Sequence, residues 1–259
     1  MNIIWLTDPH FNFLPKMGAE YIGKEFAEQY PDCTGCLITG DISESKDLSV
    51  NLSQFVKGFG KKVWYVLGNH DYYGGSVGIS ESIEAADYLT DMPPVHLSET
   101  TALVGDDGWY DATAGTPHWS NVHMSDFDLI LDFSGLGKFE VIEKAHQIGI
   151  KSAKRIEPKL RAAAKKYKRI IVAVHVPPWK EASWHQGRMS APDWLPWFTH
   201  VEMGKVIEEV SKDFPDVKFD VFCGHSHSGG IVDVSETITC TTGAARYGDP
   251  QLAGVIEYE

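Results

Sequence analysis

The chain has 259 residues, 43% of them apolar, which is enough for one large domain with a substantial core, and no apolar run approaches the roughly 18 to 20 residues that span a bilayer. Its 23 Lys and Arg against 36 Asp and Glu leave a formal charge of −13, which disfavours indiscriminate attraction to nucleic acid or anionic lipid. An anionic substrate therefore requires a local positive field.

The chain opens Met1-Asn2-Ile3-Ile4-Trp5-Leu6, with no basic leader and no long apolar stretch, so the expectation is a cytoplasmic protein without a signal peptide. This first apolar run ends in Thr7-Asp8-Pro9-His10, and a helical pattern follows from Gly18 to Tyr30. Cys33-Thr34-Gly35-Cys36 has the spacing of redox and zinc sites, but no second pair accompanies it, and the plainer reading is two packing thiols. Cys36 to Ile38 runs into Thr39-Gly40-Asp41, a helical pattern covers Leu48 to Phe59, and Val63 to Leu67 runs into Gly68-Asn69-His70-Asp71. A further helix is expected from Ile79 to Leu89, then short antiparallel strands between Val95 and Tyr110.

Residues 151–169 hold nine Lys or Arg against one Glu, a local +8, so the other 240 residues carry −21. Ala153, Ile156, Leu160, Ala163, Ala164 and Tyr167 share one side of a helical projection, and Pro158 is expected to kink this helix or start a second. A solvated face beside the next strand is favoured over a nucleic-acid surface. Ile170 to Val174 then leads to His175, a Trp-rich segment follows with Trp179, Trp184, Trp194 and Trp197, and Met203 to Phe214 reads as helix. Phe219 to Phe222 leads to Gly224-His225-Ser226-His227, and Ile231 to Val234, Thr237 to Thr242 and Ala253 to Tyr258 read as short antiparallel strands. Strand and helix alternate along most of the chain, which predicts an α/β protein with a mainly parallel sheet.

Asp8, His10, Asp41, Asn69, His70, His175, His225 and His227 all stand just after an apolar run. Ligands of open α/β sheets gather outside the carboxyl ends of the strands, so these residues are candidates to converge there as metal ligands. The ordered set Asp8-Pro9-His10, Gly40-Asp41, Gly68-Asn69-His70-Asp71, His175 and Gly224-His225-Ser226-His227 resembles the calcineurin-like metallophosphoesterase superfamily, as does the closing Gly243-Ala244-Ala245-Arg246-Tyr247 stretch. The resemblance implies a single domain over residues 1–259, a four-layer α-β-β-α sandwich with two mixed sheets and a binuclear metal site at the strand ends. Asp8, His10, Asp41 and His227 would hold one divalent ion, and Asp41, Asn69, His175 and His225 the other, with Asp41 bridging. Two divalent ions against two carboxylates leave the site about +2, a local anion trap inside an acidic protein.

By the same resemblance the chain is a metal-dependent phosphoesterase, cleaving a mono- or diester by in-line attack of a metal-bound hydroxide. His70 would protonate the leaving oxygen or steady the transition state, with Asp71 orienting its ring. Imidazole and carboxylate donors without thiolate suit Mn²⁺, Fe or Zn²⁺, with Mg²⁺ a further candidate. The expected partner is a small phosphate ester; a nuclease using residues 151–169 is the alternative, and a non-catalytic binding module fits less well because His70 is present. Leu67 before Gly68, and Ile42-Ser43-Glu44-Ser45 after Asp41, depart from serine/threonine protein phosphatases; His70 departs from the lipid-A-pathway hydrolases, which carry Arg there. His185, Arg188 and His118 are candidate substrate contacts, and the four Trp a candidate aromatic wall.

Overall fold

A computed structural model describes residues 1–78 and 83–259. Its elements begin with β1 (Asn2–Leu6), α1 (Gly18–Gln29), β2 (Gly35–Thr39), α2 (Ser45–Phe59), β3 (Lys62–Val66), β4 (Asp87–Tyr88), β5 (Val95–His96) and β6 (Thr101–Gly105). They continue with α3 (Asp126–Leu129), α4 (Lys138–Ala164), β7 (Arg169–Ala173), β8 (Trp184–His185), β9 (Arg188–Met189), α5 (Leu195–Phe198), α6 (Val201–Asp213), β10 (Lys218–Cys223), β11 (Gly230–Asp233), β12 (Ile238–Thr242) and β13 (Gly254–Glu257).

The central strands are apolar at successive positions because both of their faces are covered. Successive side chains of a strand point to opposite faces, and the core divides accordingly. Ile4, Leu6, Cys36, Ile38, Val63 and Tyr65 pack with α1 and α2 residues such as Phe26, Leu52 and Phe55. Their neighbours Ile3, Trp5, Leu37, Trp64 and Val66 meet Leu103, Ile171 and Ala173 of the other sheet. On that sheet's far side Ile170, Val172, Phe219 and Val221 pack against Ile156 and Leu160 of α4 and Met203 and Ile207 of α6. Three apolar layers thus separate helices, sheet, sheet and helices, the expected four-layer sandwich.

Both large sheets are mixed. The first has the order β13-β1-β2-β3-β4 and the second β11-β12-β10-β7-β6-β5. In the first only β13 runs antiparallel to its neighbour; in the second the edge strands β11 and β5 do. The antiparallel edge strands β5, β11 and β13 return by hairpins or from the chain end, while the central parallel strands are joined by crossovers, so the carboxyl ends of β1, β2, β3, β7 and β10 point to one end of the sandwich.

Three expectations change. Residues 79–82 of the expected Ile79-to-Leu89 helix lie outside the described residues, and from Ile83 onward the chain forms turns and the two-residue strand β4, with Leu89 buried between the sheets. Pairing of β4 with β3 outweighs the helical spacing there. The basic segment is helical only as far as Ala164, within one helix, α4, that begins at Lys138 and carries Pro158 inside it, and Arg169 opens β7. An interior Pro costs roughly 3 kcal/mol, and burial of Ile156 and Leu160 on either side offsets it. Finally, β6 pairs antiparallel with β5 but parallel with β7, so only part of Val95 to Tyr110 is antiparallel. Among the described residues no helix is long and apolar enough to cross a membrane.

Candidate metal centre

Five turns that leave β1, β2, β3, β7 and β10 are tied to one another by hydrogen bonds. Asp8 N–H donates to Gly40 O (3.1 Å), His10 N–H to Asp41 O (3.0 Å) and Gly224 N–H to His175 O (2.9 Å). Among the described residues eight non-glycine residues have positive φ, and five of them are Asp8 (48°), His10 (43°), Asp41 (51°), His225 (68°) and His227 (55°). Such left-handed backbone costs about 1–3 kcal/mol per residue and persists only where the surroundings impose it. Strain is therefore concentrated in the turns that aim these side chains. Close approach adds a second demand: a Cβ on Gly68 would lie 2.2 Å from Asp41 Oδ1, and one on Gly224 2.0 Å from Asp8 Oδ2.

Ligand atoms of Asp8, His10, Asp41 and His227 lie within 4.8 Å of one another, and so do those of Asp41, His175 and His225. Asp41 serves both groups with different oxygens: Oδ1 is 3.3 Å from His175 Nε2, and Oδ2 is 3.8 Å from His10 Nε2. Asn69 Oδ1 joins the second group, 3.1 Å from His175 Nε2 and 2.8 Å from His225 Nδ1.

Backbone carbonyls settle the tautomers. His175 Nδ1–H donates to Thr39 O (2.9 Å) and His225 Nε2–H donates to Trp197 O (2.9 Å), so His175 Nε2 and His225 Nδ1, 3.2 Å apart, both present lone pairs. Asn69 Nδ2 donates to Asp126 Oδ1 (2.9 Å), which turns the amide oxygen toward the same point. Three neutral acceptors and a carboxylate oxygen face each other with no hydrogen among them, an arrangement that repels itself unless a cation or a proton sits between. His10 Nε2 and His227 Nε2 face each other similarly at 3.1 Å, and buried His10 Nδ1 has no partner among the described residues. The donor set fits divalent cations.

The charge balance agrees. Burial, reinforced by the His175 charge, lowers His225 to about 3, and burial lowers His10 to about 4 against the pull of Asp41, so both imidazoles are neutral at pH 7. Burial also opposes charge on His175, yet Asp41 and Asp8 hold it up at about 10. Without a cation this imidazole is the one that takes up the proton the acceptors require. Burial works against ionisation of Asp8 and Asp41 too, but the His227 hydrogen bond and the His175 charge keep Asp8 below the usual carboxylate range, and His175 and His70 keep Asp41 well below it.

His70 sits over this cluster. Its backbone N–H donates to Asp41 Oδ1 (2.9 Å), its Nε2 is 3.9 Å from Asp41 Oδ2, and its ring stacks on Tyr73 (centroids 4.3 Å apart) and meets the His10 ring edge-on (4.7 Å). The expectation that Asp71 orients this ring is corrected. Asp71 is buried below the turn and accepts from Ser43 N–H and Gly68 N–H, both at 2.8 Å, so it clamps two loops rather than the imidazole. Burial and the Asp41 charge raise its pKa to about 8. Three further side chains take part. Tyr73 stacks on His70 and donates through its hydroxyl to Asp126 (2.7 Å), Asp126 also holds Asn69, and the Tyr247 ring covers His10 (4.4 Å) and His227 (4.8 Å). Tyr247 lies in the closing segment that the sequence singled out, whereas nothing distinguishes Asp126 from Asp128 or Asp132 before folding buries it.

A cavity of 600 Å³ opens onto Asp41, Asn69, His70, His225 and His227. Trp184 and Trp194 of the expected aromatic wall line it, and so does His185. Trp179 instead packs in the helix-facing core and donates to Glu208, while Trp197 is buried beneath His225 and donates to Ser120. Arg188 is paired with His185 across the β8–β9 hairpin but does not line the cavity, and the His118 ring lies against Phe139 outside it. The C-x-x-C pair is buried; burial raises the Cys36 thiol well above its ordinary range, consistent with packing.

The sequence pattern of the calcineurin-like phosphoesterases matches residues 1–229, and the chain belongs to that family. It is a phosphoester hydrolase by class, and the family's divalent-metal chemistry meets candidate ligands here. In fold the chain is similar to a phosphopantetheinyl hydrolase from Mycobacterium tuberculosis, with a TM-score of 0.64 and 14% identity over 95% of this chain and 90% of that one. It is also similar to a dimetal phosphatase from Danio rerio, with a TM-score of 0.59 and 16% identity over 96% of this chain and 89% of that one. No curated protein matches the sequence.

Proposed function

We propose that the protein hydrolyses phosphate esters with two divalent cations, one held by Asp8, His10, Asp41 and His227, the other by Asp41, Asn69, His175 and His225. The observation that carries this reading is Asp41, whose two oxygens face two different groups of donors. Bound cations would supply Lewis acidity toward a phosphoryl oxygen and an activated water. Mixed imidazole and carboxylate donors favour Mn²⁺, Fe or Zn²⁺ over Ca²⁺.

The chain's own residues complete the chemistry. His70, at the cavity floor beside Asp41, delivers a proton from its ring to the departing ester oxygen. Tyr73 and His10 hold that ring by stacking and edge contact, which limits the reorientation the transfer would otherwise need. Asp126 is a positioning residue: by accepting from Asn69 it keeps the amide oxygen, rather than the amide nitrogen, toward the cations. His185 contributes a polar contact to the ester from the cavity wall.

The test is to strip the protein with chelator, restore Mn²⁺, Zn²⁺ or Mg²⁺, and measure metal per chain and turnover of a nitrophenyl phosphate monoester and its bis-ester. Two ions per chain and strictly metal-dependent turnover are expected. Turnover that survives stripping, or absence of turnover on every ester with two ions bound, overturns the reading.

A further inference from the structure

The cavity beside the donor cluster has an unusual division of labour. One end is the charged group of Asp41, Asn69, His225 and His227 with His70; the other walls are Tyr73, Met124, Trp184, Trp194, Phe198 and Tyr247. No Lys or Arg is among its described lining residues, and beyond the donor cluster and His70 only His123 and His185 can carry a charge. With the proposed cations bound, a single phosphate would be neutralised at the charged end. A second phosphate or a carboxylate on the leaving group would be desolvated against aromatic rings without an ammonium or guanidinium partner.

The aromatic wall continues directly from the donors. The Phe198 ring is 4.6 Å from His225 and 5.5 Å from Trp194, and the Tyr247 ring is 4.4 Å from His10. A group one ester bond away from phosphorus therefore meets ring faces at once. Trp194 and Tyr247 are also 46% and 51% exposed, so their faces are available to a ligand rather than spent on the core. A volume of 600 Å³ accommodates a phosphate together with a ring system.

Resting on the phosphoesterase reading above, we infer that the substrate is a monophosphate ester of an uncharged aromatic alcohol, whose ring packs in this cavity while its phosphate lies at the donor cluster. Aryl alcohols, and nucleosides through their base, both present an uncharged aromatic ring on the phosphorylated alcohol.

Binding and turnover test it separately. Calorimetry on Mn²⁺-loaded protein compares benzylphosphonate with propylphosphonate, neither of which is hydrolysed. Benzylphosphonate is expected to bind about tenfold more tightly, the scale of one aromatic stacking contact. Trp194→Ala should shrink that preference, with Tyr247→Ala as the second variant if the first fails to fold. Trp119→Ala, whose side chain is 82% exposed and outside the cavity, should keep it. Turnover then compares benzyl phosphate with adenosine 5′-monophosphate and adenosine 5′-diphosphate. A lower KM for the nucleoside monophosphate identifies a nucleoside as the alcohol, and a lower KM for benzyl phosphate identifies an aryl alcohol. Equal affinity for the two phosphonates, a preference untouched by both wall variants, or a KM for the diphosphate as low as for the monophosphate overturns this inference while leaving the phosphoesterase reading intact. Failure to turn over any ester with both metals bound strikes that earlier reading instead.

Discussion

Two polar regions stand out in the sequence, the turns after the strands and the basic stretch of α4, and folding treats them in opposite ways. In α4 several of the bases find partners. Arg155 grips buried Asp106 through two nitrogens (2.5 and 2.8 Å), and Lys159 donates to the carbonyls of Leu89, Thr90 and Gly105. Arg161 reaches Glu157 and Asp213, and just beyond the helix Arg169, the first residue of β7, reaches Asp220. At the strand ends, acceptors are instead forced against acceptors by turns with left-handed backbone. A satisfied polar cluster fastens one layer to another, whereas a cluster whose members lack donors is built for something brought from outside.

The sharpest way to break this contrast is Asp41→Asn, which removes the shared carboxylate. Metal content and turnover should fall together, as read by atomic emission and ester hydrolysis; retention of two ions would contradict the bridging assignment. His70→Ala should keep both metals and lose about 10²- to 10⁴-fold in turnover of an alkyl phosphate, with a much smaller loss on a nitrophenyl ester whose leaving group needs no proton. Asp126→Asn should weaken metal affinity or turnover about 10- to 100-fold. A merely structural Asp126 would instead lower the melting temperature and leave affinity per folded molecule unchanged.

The satisfied side should respond in stability alone. Arg155→Met leaves Asp106 buried without its guanidinium, and urea unfolding should show a loss of about 2 kcal/mol with turnover per folded molecule preserved. His200 gives a smaller, pH-dependent effect. It is buried with Nε2–H donating to Gly149 O (3.0 Å) and Nδ1 accepting from Trp109 N–H (3.2 Å), and burial lowers its pKa below the ordinary 6.5 despite nearby Asp111. The unfolded chain then takes up a proton first as pH falls, so this contribution is present above pH 6.5 and is lost on acidification below it. Urea midpoints at pH 7.5 and 5.5 should converge in His200→Gln relative to the wild type; an unchanged difference would remove His200 from the acid response.

The convergence of the candidate donors was readable because they occupy short motifs at the ends of strongly apolar runs, where the alternation of faces and the common direction of parallel strands leave little freedom in placement. Asp8, His10, Asp41, Asn69, His175, His225 and His227 are of this kind. The Asp71 role was misread because adjacency to His70 says nothing about where the carboxylate points once the turn buries it. Likewise the helical spacing of Ile79 to Leu89 competes with strand pairing that only β3 can supply.

By itself, then, the sequence determined the alternation of strands and helices through its periodicity, and through the resemblance of its ordered motifs it implied the family, the four layers and the candidate donors. The tertiary structure alone decided which of four Trp face the cavity, which Asp supports Asn69, and that Arg155, Lys159 and Arg161 of the basic helix are paired within the fold. Most of these depend on contacts between residues far apart in sequence, such as Asn69 with Asp126 and Tyr247 with His10, whose meeting no local pattern encodes. The charge of −13 is an example: it averages an acidic body, a helix whose bases are partly neutralised in place, and a centre whose charge depends on the cations it would hold.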